Sequence, residues 1–405
     1  MAPVTAMTAM TAGVGRAWPL VGLVLLAVNL RTAITGIAPV LGDVRAAFGL
    51  NGLELSVLTA LPVLCLGAFA ALAPAVARRA GVGPTVAGAL ALVTTGLLLR
   101  AVPATAALFA GTVLAGVGLA VGNVLLPAFV KQHFPTRVGP CTGLAMTAMA
   151  GSAALAAGAA VPLDRAAGLP VALAAWALPA LLATLVWCLP VLRGHRTPIP
   201  AASAADTSLL RSPSAWAVAG FLGAVSLMFY VLTAWLPELM RDQGFGAAES
   251  GTMVSVMLTI GIPLGFVVPV AAARLRDQRP LVAGIAVAML VGLGGILLAP
   301  QVGWLWVSVL GVANGSAFPL AVTLLSLRSP DPGTAARLSG LAQTGGYLLA
   351  ALGPLAVGTV RTATGGWTAP LLLLLALVVP EAVCGLLAAR PGFVRPGVGV
   401  LRAVA

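Results

Sequence analysis

Leu20 to Leu41, LVGLVLLAVNLRTAITGIAPVL, is an apolar run of membrane length with one permanent charge, Arg31, near its middle. A helix needs roughly 20 mostly apolar residues to cross a hydrocarbon core, and an arginine at mid-depth costs from ~3 to ~10 kcal/mol depending on how the bilayer yields. Arginine stays protonated at any physiological pH, so Arg31 must face a protein interior or a watery cavity. The chemistry open to it is a two-pronged hydrogen bond to a small anion. The competing reading is a structural clamp, bonded to carbonyls of neighbouring helices or snorkelling toward one surface. Asn29, Thr32 and Thr35 add polar groups to the same helix. Helical spacing puts Asn29, Thr32 and Gly36 on one face and Arg31 with Thr35 on another.

Other polar side chains recur inside apolar runs, where a carrier needs groups that dissolve what lipid will not. Asn123, Asn314 and Tyr230 are candidates for contacting a solute, as are Gln343 and Tyr347, four residues apart on one helical face. Met146 and Thr147 join them through a sequence repeat described below. Each of these groups could instead bond a neighbouring helix, an interaction worth ~0.6 kcal/mol on average. Carboxylates are scarce: only Glu54 and Glu381 fall where a proton relay could use them, and Glu381 reads better as half of a structural pair with a basic residue. No HExxH, Cys-x-x-Cys or GxxxxGK[ST] pattern occurs. The chain therefore lacks the parts of a zinc hydrolase or an ATP-driven pump, and no enzyme activity, cofactor or metal is expected. Cys65, Cys141, Cys188 and Cys384 have no paired spacing and read as small apolar fillers.

The elements that must position these residues follow from composition. Hydrophobic residues make up 60% of the chain, charged residues only 8%, and the mean hydropathy is +1.07, against a charged fraction near ~25% in soluble domains. The apolar runs are long and continuous, which excludes the short alternating segments of a β-barrel. Twelve spans emerge, at about 17–41, 51–77, 82–102, 105–129, 139–163, 168–192, 215–239, 250–273, 280–299, 302–327, 338–360 and 367–389. The net charge of +12 is distributed by topology: with the N-terminus in the cytoplasm, sixteen of the 22 Lys and Arg fall on the cytoplasmic side. Both termini are then expected inside, and no nucleic-acid partner is implied.

Residues 193–214, RGHRTPIPAASAADTSLLRSPS, form the longest polar stretch and read as a cytoplasmic linker between two six-helix halves, 1–192 and 215–405. The halves carry matching segments. Thr142 to Thr147 reads TGLAMT and Ser339 to Thr344 reads SGLAQT. Earlier in each half, GNVLLPAFV with Pro127 answers NGSAFPLAV with Pro319. Two matches in the same order support duplication, and parallel repeats of this kind suit a carrier that rocks one half against the other.

The segments NLRTAITGIAPVL (29–41), LPVLCLGAFAALAPAVARRAG (61–81) and GNVLLPAFVKQHFPTRVGPCTGLAMT (122–147) resemble the major facilitator superfamily, and more narrowly its cyanate permease and nitroimidazole transporter branch. The resemblance implies a twelve-helix carrier with a central site between its halves, moving small, often anionic or weakly polar solutes. It places Arg31 and Thr32 at that site and Asn123, Lys131 and His133 along the cytoplasmic side of the path. Two departures matter. The stretch before Arg78 and Arg79 lacks the acidic residue the family usually has there, and residues 109–121 lack the arginine common in proton antiporters.

The expectation is therefore an all-α inner-membrane transporter, monomeric, whose small-molecule substrate is anionic or polar and of cyanate-like size. Arg31 supplies the charge. The alternatives are an efflux carrier for nitroimidazole-type drugs with Arg31 structural, and a non-transporting membrane sensor or scaffold.

Overall fold

In lipid every backbone polar group must be satisfied within the protein, so long apolar runs fold as helices. The structure, a computed structural model, describes residues 3–192 and 209–394, and among them every regular element is helical. The first half contains α1 (Pro3–Thr35), α2 (Leu41–Phe48), α3 (Gly52–Ala70), α4 (Leu72–Ala80), α5 (Val82–Arg100), α6 (Thr105–His133), α7 (Val138–Ala167), α8 (Leu169–Ala174) and α9 (Ala177–Leu192). The second contains α10 (Pro213–Asp242), α11 (Ala247–Arg274), α12 (Arg279–Leu298), α13 (Gly303–Leu327), α14 (Pro332–Thr364) and α15 (Thr368–Ala388). Among the described residues, twelve segments are long and apolar enough to cross a membrane. Most of the sequence expected to link the halves, 193–208, lies outside the described residues.

The first span runs further than its sequence suggests, from Trp18 to Phe48. Pro39 does not end it. A short 3₁₀ turn at Ala38–Val40 absorbs the break and α2 continues. Gly49, at φ 63°, then stops α2 in the left-handed conformation that glycine adopts without strain. Asn51 and Glu54 start α3 with reciprocal side-chain-to-backbone hydrogen bonds of 2.9 and 2.8 Å. Glu54 is thus a helix cap and is occupied as one.

Because lipid is as apolar as leucine, helices in a bilayer associate through close packing rather than hydrophobic burial. The fourth span shows this. A Cβ on Gly111 would stand 2.5 Å from the Gly96 carbonyl oxygen of α5, and one on Gly122 would meet Leu30 of α1. These glycines serve static packing inside the first half. On the second half, Arg328 plays the corresponding tying role. Its guanidinium donates to the carbonyls of Ala388 and Ala389, both at 2.8 Å, and to Gln278, joining the ends of α13, α15 and the turn after α11. Burial lowers the Arg328 pKa from its ordinary value, and Asp277 partly opposes that.

Successive spans alternate in direction, so the ends of the molecule can be called the near face, where the first span begins, and the far face. At the near face the halves meet backbone to backbone. A Cβ at Gly139 of α7 would lie 2.6 Å from the Pro269 carbonyl of α11, and one at Gly143 would lie 2.9 Å from the Phe266 carbonyl. A Cβ at Gly340 of α14 would lie 3.0 Å from the Pro74 ring of α4, and Ser326 of α13 donates to the Pro127 carbonyl of α6 at 3.1 Å. Further along, the same two helices line a cavity instead of touching, α7 with Ala150, Ala153 and Ala157 and α11 with Ser255 and Leu258. The two halves are closed at the near face and splayed beyond it.

Candidate functional site

The splay leaves a cavity of about 430 Å³ between the halves. Arg31 and Thr35 reach it from α1, because they share the helical face that points across the gap. Met146, Met149 and a strip of alanines reach it from α7, and the far half of α11 closes the opposite flank. Ser226, Phe229 and Tyr230 enter from α10, Asn314 and Phe318 from α13, and Tyr347 from α14. Exposed residues such as Ala154, Ser255 and Thr259 sit at its far-face end.

Arg31 is the one charged group in this lining, which holds no carboxylate. Its guanidinium carbon lies 5.5 Å from the ring centre of Phe318, a cation–π contact worth ~0.5–2 kcal/mol. The Tyr230 hydroxyl interacts with it directly. Neither neighbour neutralises the charge. Two further polar groups in the lining are buried without a partner in the protein, the Ser226 hydroxyl and the Asn314 amide oxygen, although their residues are only 2% and 5% exposed. Buried polar atoms left unpaired are costly, so this wall is short of a hydrogen-bonding counterpart.

The remaining polar residues singled out in the sequence separate into groups. Arg31, Thr35, Met146, Tyr230, Asn314 and Tyr347 are brought together around the cavity. Asn29 and Thr32 face the other way, into the first half, where the Asn29 amide donates to the carbonyls of Leu25 (2.8 Å) and Pro179 (3.3 Å). Thr35, though in the lining, bonds its own helix at the Arg31 carbonyl. Thr147 turns its hydroxyl into packing, away from the lining.

Toward the near face lies a second void of about 10 Å³, the size of one water. Asn123, Met146, Gln343 and Tyr347 border it. Gln343 donates to the Asn123 carbonyl at 3.1 Å and to Ser339 at 2.8 Å, so it fastens the second half to the first, while the Asn123 side chain turns back to Leu119. Met146 and Gln343 hold matching places in the two repeats, and the structure sets them at the same seam.

Lys131 and His133 line neither void. His133 ends α6, with its ring 4.2 Å from Phe129 in a cluster with Trp18 and Trp187, and its Nδ1 3.2 Å from the Phe129 carbonyl. Lys131 lies over the ring of Phe393, at 5.6 Å. Glu381 has no basic partner: it is 1% exposed with neither oxygen hydrogen-bonded, which overturns the expected structural pair.

Sequence reasoning missed Arg100. It ends α5 in an apolar run and reads as a residue near the outer face, yet it is 2% exposed. It donates to the Ala33 carbonyl at 2.6 Å and to the Thr112 hydroxyl at 3.0 Å. The carbonyl clamp that seemed possible for Arg31 exists, but Arg100 forms it. Phe229, Phe318 and the alanine strip were also missed, since ordinary apolar residues in an apolar span carry no distinguishing signal.

The chain is 39% identical over 381 residues to the uncharacterized transporter YycB of Bacillus subtilis (strain 168), covering 93% of this chain and 94% of that protein. It is 35% identical to the 2-nitroimidazole transporter of Escherichia coli (strain K12), with 92% and 96% covered. It is 31% identical to the cyanate transport protein CynX of the same strain, with 85% and 90% covered. In fold it is similar to the proton:xylose symporter XylE, at a TM-score of 0.74 with 13% identity, over 92% of this chain and 94% of that one. The same score relates it to FucP in its outward conformation, with 14% identity and coverage of 92% and 99%. The Major Facilitator Superfamily model matches residues 23–354. With that match, and with a helical architecture shared across nearly its whole length, the chain belongs to the Major Facilitator Superfamily of transporters.

Proposed function

We propose that this transporter moves a small anionic solute across the inner membrane by alternating access, with Arg31 as the charge that holds it. The observation that carries the reading is an uncompensated guanidinium facing a cavity between the halves. A permanent charge in low dielectric needs a counter-charge, and the lining supplies none. Residues 1–192 and 215–405 act as the two rocking units, joined by 193–214. The excess of Lys and Arg on the near face supports a cytoplasmic near face and cytoplasmic termini, and in this reading the splayed cavity opens outward. The site is built within one chain, so a monomer suffices as the working unit.

Transport by rocking requires that solute stabilise both the outward and the inward arrangement, because a ligand favouring one alone would trap it. Gln343 and the glycine contacts of α7 with α11 close one gate, and these must part on the inward stroke.

The wall of aromatic and methionine side chains favours a second reading. In it the solute is a weakly polar heteroaromatic compound, as the name of the nitroimidazole relative suggests, and Arg31 is structural. Uptake of radiolabelled small anions and nitroheterocycles into proteoliposomes separates the two. The anion reading expects Arg31→Ala to abolish anion uptake in protein that still folds. Undiminished uptake of the true solute by that variant contradicts it.

A further inference from the structure

Resting on the anion reading of the Arg31 site, the geometry points to a narrower solute class: an organic monoanion with a flat aromatic body, of benzoate size or larger. Charge sets the first limit. One arginine and no carboxylate line the cavity, so a single negative charge is matched and a second would be buried unpaired. Volume sets the next. Liquid water occupies ~30 Å³ per molecule, so a triatomic anion such as cyanate displaces only about one or two waters. It would leave most of the 430 Å³ unfilled. Cavities of ~300 Å³ and above suit ligands of many atoms.

The walls give the shape. Both tyrosines of the chain, Tyr230 and Tyr347, line this one cavity, together with Phe229 and Phe318. Phe318 lies beside the guanidinium, so an anionic head at Arg31 and Tyr230 carries its body into aromatic company. Rings favour offset or edge-on contact with other rings, and Met146, Met149 and Met257 are adaptable sulfur neighbours for such a body. On the α7 side the lining beyond Met146 and Met149 is alanine, so that wall carries no bulky side chain to obstruct a ring. A compact inorganic ion would make no use of these surfaces.

The test is binding to purified full-length protein in nanodiscs, by calorimetry, using benzoate, its uncharged isostere benzamide, the dianion phthalate, and cyanate. The expected result is saturable binding of benzoate, with benzamide weaker by about tenfold or more for loss of a charge-assisted contact, and with phthalate and cyanate also weaker. Phe318→Leu should lower benzoate affinity severalfold, and by more than it lowers any response to cyanate, which shares only the guanidinium beside that ring. Failure of benzoate to bind overturns the inference, as does cyanate binding as tightly as benzoate. If cyanate binds in an Arg31-dependent way and benzoate does not, the aromatic class falls and the anion site stands. If benzamide and benzoate bind equally and Arg31→Gln alters neither, the anion reading falls as well.

Discussion

Arg31 and Arg100 both sit inside the first half of this transporter, on helices that pack together, and they are treated in opposite ways. Arg100 is fully enclosed and donates to the Ala33 carbonyl and the Thr112 hydroxyl. Arg31, two residues before Ala33 on α1, has an aromatic face, a tyrosine hydroxyl and open space. The clamp even holds the stretch of α1 that carries Arg31, so one arginine fixes the platform from which the other reaches. The contrast teaches that an intramembrane charge is not informative by itself. What matters is whether the protein has already used its hydrogen-bonding capacity.

Substitutions at the two positions should therefore fail in different ways. The largest effect is expected for Arg31→Ala in transport: losing a charge-assisted contact worth ~3 kcal/mol lowers anion uptake about a hundredfold. Thermal unfolding in detergent should shift much less than transport, since only the Tyr230 hydroxyl and the Phe318 ring lose a neighbour. Next comes Arg100→Leu, which strands the buried Ala33 carbonyl and should cost ~1–3 kcal/mol of stability, read as an earlier unfolding transition. Arg100→Lys should recover part of that. If Arg100→Leu unfolds like the parent, the clamp is not what holds α1, and the comparison breaks.

The seam offers a test of similar size. Gly143→Leu places a branched side chain where even a Cβ would crowd the Phe266 carbonyl, an overpacking of ~1–3 kcal/mol. The variant should shift the population away from the closed near face, seen as faster thiol labelling of Cys141 beside it, which is buried in the parent. Gly151→Leu, in the open part of the same helix, should leave that rate unaltered. The smallest effect is expected for Tyr230→Phe: loss of one hydroxyl contact worth ~1 kcal/mol weakens solute affinity about fivefold without changing the fold.

The sequence made the twelve spans legible because length and hydropathy decide them directly, and it made the two faces of the first span legible because helical period is geometry. It also paired Met146 with Gln343 through the repeat, and both reach the seam. The role of Arg100 was hidden, because its partners lie on α1 and α6 and only tertiary packing brings them within reach. Asn29 and Asn123 misled for a related reason. A polar side chain in a membrane helix can satisfy itself on its own preceding turn, as both do at 2.8 and 2.9 Å, and nothing in the local sequence separates that case from Asn314.

The most direct test of the central claim is thiol accessibility at the two arginine positions. In a background with the four native cysteines replaced, R31C and R100C would be exposed in turn to a membrane-impermeant, negatively charged methanethiosulfonate reagent. The account predicts fast modification at position 31 from the far face, slowed by bound solute, and no modification at position 100. Modification at 100 with none at 31 would contradict it.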